Sequence, residues 1–324
     1  MRGSRNARIS VVCLVAFLAT ATLVVARDKT TPDEWLHKMS SAVQTLDYAG
    51  TVIRSQNGEA QPLKVVHKII DGVVNERIVI QEGNGMEIIR VGDEVHCILP
   101  DKKSVLVEHW DNASTLFATL PGSGIDPGAQ YDVLILERGQ RIAGRSAVKI
   151  AIRPNDALRF EHHYWLDEKT GFPLRTELID RNGQIIDQLK FADIRLDSNI
   201  NAQALAPSMS LANFSWYTNP GNQHHEEIET DWVSDSLPAG FKMKSARQEI
   251  LSGSGQPVTH IVYDDGLAKV SVFISEMLAD AIGRSAHRGA SSSFSTEVEG
   301  FQITAVGEVP VETVQLIASS MHRR

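Results

Sequence analysis

Any chemistry in this chain has to come from its histidines and carboxylates, because the familiar reactive motifs are missing. The sequence holds no Gly-x-Ser-x-Gly elbow, phosphate loop, dinucleotide fingerprint, His-Glu-x-x-His or Cys-x-x-Cys. Of its 11 histidines, His162 and His163 are adjacent in a run that reads as a strand. Their side chains therefore point to opposite faces and cannot share one metal. Glu161 and His163 fall on one face and could act as an acid–base pair, although a solvated sheet face uses the same residues without chemistry. His224-His225-Glu226-Glu227 lacks the spacing of a closed metal site. Cys97 lies in the strand-like run Glu94–Leu99, where a small buried hydrophobe is the plainer role. The expectation is no catalytic residue, no metal and no cofactor.

The elements that would carry such residues begin after an exported leader. Arg2, Arg5 and Arg8 precede an apolar run from Ile9 to Val25, and Val24-Val25-Ala26 fits a cleavage site, so residues 1–26 read as a signal peptide. The context around Cys13 does not suit lipid attachment. The whole chain has 32 basic against 40 acidic side chains, and removing the three leader arginines leaves 29 against 40. So acidic a chain is a poor general ligand for nucleic acid.

The mature part divides by composition. Residues 27–198 open with a helix: Thr31 at the N-cap, Pro32 at the first position, then Trp35, Met39, Ala42, Val43 and Leu46 at helical spacing. A long meander follows. Strands are expected at 48–55, 63–70, 73–81, 87–91, 94–99 and 104–110, and after a Gly- and Pro-rich gap at 131–137, 146–153, 160–167, 174–180 and 184–194. Asn57-Gly58, Asp71-Gly72, Gly92-Asp93 and Asn182-Gly183 supply turns between them. That many consecutive antiparallel strands must curl. Residues 199–231 read as a linker, and residues 232–324 as a smaller α+β domain. There Asp265-Gly266 joins the apolar runs 259–263 and 267–274 into a hairpin.

These segments carry a resemblance. Trp232, Leu237-Pro238, Gly240-Phe241, Tyr263-Asp264-Asp265-Gly266-Leu267, Ser271-Val272-Phe273-Ile274 and Val306-Gly307-Glu308-Val309-Pro310 resemble, in order and spacing, the C-terminal domain of the RseB/MucB family. Arg141–Arg145, Tyr164-Trp165-Leu166-Asp167, Thr170–Arg175, Glu177–Asp180 and Phe214-Ser215-Trp216 resemble its N-terminal part. The resemblance implies an α+β fold, with a LolA/LolB-like antiparallel half-barrel covered by helices and a smaller C-terminal domain. It implies a periplasmic, non-enzymatic regulator that binds the periplasmic domain of an RseA/MucA-like anti-sigma factor and protects it from regulated proteolysis. The envelope-stress sigma factor then stays inactive until lipid or lipopolysaccharide acyl chains release the partner.

Site residues follow from that reading. Trp35, Met39, Val52, Val66, Ile78 and Ile88 are candidates for a lipid cavity, and on composition alone they equally make a packed core. Tyr263, Asp264, Asp265 and Leu267 are candidates for partner contact; packing within the domain is the competing role. Two other functions stay open: a lipid or lipoprotein carrier, and a periplasmic hydrolase using Glu161 and His163. Homo-oligomer formation is left open as well.

Overall fold

The structure, a computed structural model, describes residues 30–56, 58–109, 116–117, 128–196, 199–218, 227–250, 257–276 and 285–324. The expected signal peptide, Cys13, Asn57, Trp110 and His224-His225-Glu226 lie outside them. Helix α1 (Pro32–Thr45) starts at the expected cap. The Thr31 hydroxyl accepts the Glu34 N–H, and the Glu34 carboxylate accepts the Thr31 N–H at 2.7 Å, so each end of the cap satisfies the other. Trp35, Leu36, Met39, Ala42 and Val43 form its buried stripe.

The strands are β1 (Tyr48–Gln56), β2 (Glu59–Ile70), β3 (Val73–Ile80), β4 (Glu87–Val91), β5 (Glu94–Leu99), β6 (Ser104–His109), β7 (Tyr131–Ile142), β8 (Arg145–Pro154), β9 (Glu161–Asp167), β10 (Pro173–Ile179) and β11 (Ile185–Leu196). A last short strand, β12 (Ser215–Thr218), completes a 12-stranded sheet in the order β12-β6-β5-β4-β3-β2-β1-β11-β10-β9-β8-β7. Pairing of β11 with β1 sets two meanders side by side. Ile78 on β3 shares one buried cluster with Leu174 on β10 and Ile142 on the edge strand β7. Each strand between them in the sheet order also contributes a member, so the buried cluster runs unbroken from β3 to β7.

The β9–β10 turn rests directly on α1. Gly171 there has φ +78°, and a Cβ at that position would stand 2.7 Å from the Lys38 Cβ, so only glycine fits. Asp167 holds the turn from below. It accepts the Lys169 and Thr170 N–H groups, the Thr170 hydroxyl and Arg145 Nε at 2.7 Å. Burial alone would raise its carboxyl; Arg145 and Thr170 outweigh that and hold it below the ordinary carboxylate range.

The stretch expected to be a linker is largely a strap across the convex back of the sheet. Ile200 covers Ala49 and Val66. Arg77 Nη1 donates to the Ala204 carbonyl at 3.2 Å, and the Ser208 hydroxyl and N–H both donate to the buried Glu87 carboxylate. β12 then pairs parallel with β6.

Beyond it lie β13 (Trp232–Ser234), β14 (Lys242–Ile250), β15 (Pro257–Asp264), β16 (Lys269–Glu276), β17 (Ser285–Arg288), β18 (Ser291–Val298), β19 (Phe301–Gly307), α2 (Val311–Ser319) and β20 (Met321–Arg323). Six of these strands form a sheet in the order β14-β15-β16-β19-β18-β17, and β13 pairs with β20. Val314 and Ile317 of α2 close a core with Ile261, Val270, Val272, Ile303 and Ala305. The expected hairpin is β15–β16, with Leu267 in its connection rather than in a strand.

Phe191 is fully buried among Tyr48, Phe117 and Phe172, whereas Ile200 covers a small outer cluster. Urea unfolding should show Phe191→Ala losing about 3–5 kcal/mol and Ile200→Ala losing about 2 kcal/mol.

Candidate functional site

The inner face of the curl is built by register. Tyr48 lies opposite His67, Gly50 opposite Val65 and Val52 opposite Leu63; Ile78 continues the row from Val65, and Ile88 from Ile78. Tyr48 meets Phe172 at 4.8 Å and Phe191 at 6.3 Å between ring centroids, and Phe117 meets Phe172 at 5.5 Å. Val52, Ile78 and Ile88 join this aromatic group. Trp35 and Met39 belong to a neighbouring cluster with Val148, Ile150, Ile152, Tyr164 and Leu166. Val66 does not belong to the inner face. It pairs with Ala49 one register step away, so its side chain turns to the convex side beneath Ile200. The inward residues of β2 are Leu63, Val65 and His67.

The four residues expected at a partner surface are turned largely inward. Tyr263 is 1% exposed, packed in the core of the second sheet with its hydroxyl 3.7 Å from Met321 Sδ. Leu267 sits in the Trp35–Met39 cluster of the half-barrel. Asp265 is buried against Arg159, whose Nε donates to Asp265 Oδ2 at 2.5 Å, and the Tyr131 hydroxyl donates to the same oxygen at 2.9 Å. Asp264 caps the turn through the Gly266 N–H and pairs with Lys269. The β15–β16 turn docks on the half-barrel through Asp265 and Leu267, while Tyr263 and Asp264 are engaged within their own domain.

Arg159 is the centre of the junction and no local pattern announces it. It stands in the loop after β8 with no exposed side-chain surface, also bonded to Asp156 and the Ala239 carbonyl. Its guanidinium lies 5.4 Å from the Tyr131 ring and 5.0 Å from the Phe241 ring. Burial opposes its charge, but Asp265, Tyr131 and Asp156 together raise its affinity for the proton. Thr313 at the start of α2 donates to the Leu158 carbonyl at 2.6 Å, and Arg181 pairs with Glu312 at 2.8 Å on the surface. Beside them a cavity of about 390 Å³ is lined by Phe160, Ile186, Ala286, Pro310 and Val311.

The proposed acid–base pair is an ion-pair network. His163 Nε2 is 2.8 Å from Glu161 Oε1, and Arg153 also bonds Glu161. Burial would raise the Glu161 carboxyl, but Arg153 and His163 hold it low; burial depresses His163 too. A second line escaped the sequence reading: Glu249 Oε1 is 2.7 Å from His260 Nδ1, and His260 Nε2 is 2.9 Å from Ser271 Oγ. Ser271 is laddered on both sides, against Val262 and Val306, so it lacks the turn geometry that exposes a nucleophile to oxyanion donors. Cys97 is half-buried, and desolvation followed by Glu108 pushes its thiol up to about 11, away from reactivity. No cluster of metal-ligating residues occurs among the described residues.

Against this geometry, comparison with known proteins is informative. Family models described as the MucB/RseB N-terminal domain and the MucB/RseB C-terminal domain match residues 31–209 and 226–322. The chain is 26% identical over 317 residues to the sigma factor AlgU regulatory protein MucB of Pseudomonas aeruginosa, covering 95% of this chain and 96% of that one. It is 23% identical over 293 residues to the sigma-E factor regulatory protein RseB of Escherichia coli K12, covering 88% and 89%. Among solved structures it resembles MucB in the Pseudomonas aeruginosa MucA/MucB complex, with TM-score 0.70, 24% identity and coverage of 90% of this chain and 99% of that one. A crystal structure of MucB gives TM-score 0.61 at 26% identity, covering 90% and 98%.

Two outcomes follow from the junction. Asp265→Ala strands a buried guanidinium and should cost about 3–5 kcal/mol in urea unfolding, while Arg159→Met with Asp265→Leu should recover most of it. Burial lowers His162, beside the junction, from 6.5 to about 4. The unfolded chain therefore takes the proton first, and stability falls as pH drops from about 6.5 toward 4. Melting temperature between about pH 7 and about pH 5 should fall less in His162→Gln than in the unaltered chain.

Proposed function

The chain belongs to the MucB/RseB family, and on that premise we propose that it is a periplasmic regulator acting by binding rather than catalysis. It holds the periplasmic domain of an anti-sigma factor, shields it from regulated proteolysis and keeps an envelope-stress sigma factor inactive. Support comes from relatives named as sigma-factor regulatory proteins over nearly their whole length, and from the MucB relative seen together with MucA. Lipid or lipopolysaccharide acyl chains entering the half-barrel release the partner.

One observation carries the release step. Leu267 of the second domain is packed in the same cluster as Trp35 and Met39 of the half-barrel. An acyl chain inserted beside Trp35 and Met39 competes with Leu267 and shifts how the second domain docks. A ligand changes an equilibrium only by its preference between the two states. Moving the partner from mostly bound to mostly free takes about 5 kcal/mol, and burying six or seven methylenes at ~0.8 kcal/mol each supplies it. In this reading Asp265 and Leu267 set the docking from inside and do not touch the partner. A simple carrier has no use for a second domain locked by a buried ion pair.

Calorimetric titration of the mature chain with its own organism's anti-sigma periplasmic domain tests the reading. Binding is expected, weakened by added lipopolysaccharide or phospholipid vesicles. Arg159→Met with Asp265→Leu should bind the partner with altered lipid sensitivity. Absence of binding overturns the regulator; binding indifferent to every lipid overturns the release step.

A further inference from the structure

Within the curl, His67 is a polar side chain that the packing leaves unsatisfied, as is Trp35 Nε1 among the described residues. His67 is fully buried on the inner face, stacked on Tyr48 with ring centroids 4.6 Å apart and 7° between the planes. Its Nδ1 lies 3.6 Å from Glu76 Oε1, and neither ring nitrogen makes a hydrogen bond among the described residues. A phenyl ring would stack on Tyr48 as well, whereas a buried imidazole left unsatisfied is a standing cost to the fold. Something that completes the imidazole explains why it is there.

The surroundings specify what that is. Glu76 accepts the Tyr48 hydroxyl at 3.1 Å and stands directly across the β3–β4 pairing from Arg90, so its negative charge has a cationic neighbour. A carboxylate beside Nδ1 favours the tautomer that carries its proton there, in which Nε2 is the acceptor. A hydroxyl or an amide N–H finds a partner.

We propose that the half-barrel selects amphiphiles carrying a hydrogen-bond donor, a hydroxyl or an amide, beside the hydrocarbon chain, and that His67 Nε2 is the group that reads it. This rests on the lipid-binding reading above and narrows its ligand class. The aromatic wall of Tyr48, Phe172 and Phe191 takes the chain, and His67 fixes the polar end at one depth. An acyl chain without a donor buries the same hydrocarbon but leaves Nε2 unsatisfied.

Dodecanol and methyl undecyl ether are isomers of equal bulk; the alcohol donates, the ether only accepts. Their displacement of dansyl-undecanoate from the mature chain, followed by fluorescence, compares them directly. Dodecanol is expected to compete about tenfold better, the scale of one buried hydrogen bond. The ratio should fall to about one in His67→Phe, and toward one in Glu76→Gln, where no carboxylate fixes the tautomer. Equal competition by the two isomers on the unaltered chain overturns the proposal and leaves the half-barrel as a lipid site; this arm needs no variant to fold. A tenfold ratio that persists in His67→Phe also overturns it, because the donor is then read elsewhere. If the dye and both isomers fail to bind, the proposal and the lipid-binding reading fall together.

Discussion

A 12-stranded sheet with one apolar face cannot stay flat, and the rest of the molecule follows from how that face is filled. The twist curls it, and one cluster runs from β3 to β7. Strand side chains and α1 together bury its apolar face. Helix α1 occupies one flank through Trp35 and Met39, and an aromatic group around Tyr48, Phe172 and Phe191 occupies the other. The second domain adds Leu267 to the α1 flank. The half-barrel core is thus completed by a residue from outside the half-barrel, which couples the filling of one domain to the placement of the other.

The ion pair at the junction constrains geometry as well as contributing strength. Burying Arg159 and Asp265 costs desolvation that their attraction only roughly offsets. Apolar residues of similar size recover most of that strength, as the double variant above is expected to show. The pair instead demands one geometry, because Arg159 must reach Asp265, Asp156 and the Ala239 carbonyl together while Asp265 also receives Tyr131. A regulator gains from a joint that is either made or broken, with few intermediate positions.

Much of this was legible because turns announce strands. Asp71-Gly72, Gly92-Asp93 and Asn182-Gly183 each place a glycine at positive φ between apolar runs, and the strands fall where those turns put them. Register was not legible: a single step separates Val65 from Val66, and it sends one to the aromatic core and the other to the back of the sheet. The strap was hidden for a related reason. Its Ala, Asn, Ser and Pro residues have no periodicity, and it is held by single contacts such as Ser208 on Glu87. Asp265 was read as a turn former or a partner contact, since the turn explains an aspartate before a glycine. Its bond to Arg159 spans 106 positions and leaves no local trace.

The strap also sets the kinetics of the joint. The chain is held at the sheet edge by β12 as far as Thr218, and Glu227 bridges to Arg247 of the second domain, so few sequence positions separate the two attachments. A tether of that length keeps a detached domain at an effective concentration on the order of millimolar beside its docking site. Undocking therefore never becomes dissociation. Under the release step proposed above, re-docking is then a first-order event whose rate does not depend on how much protein is present.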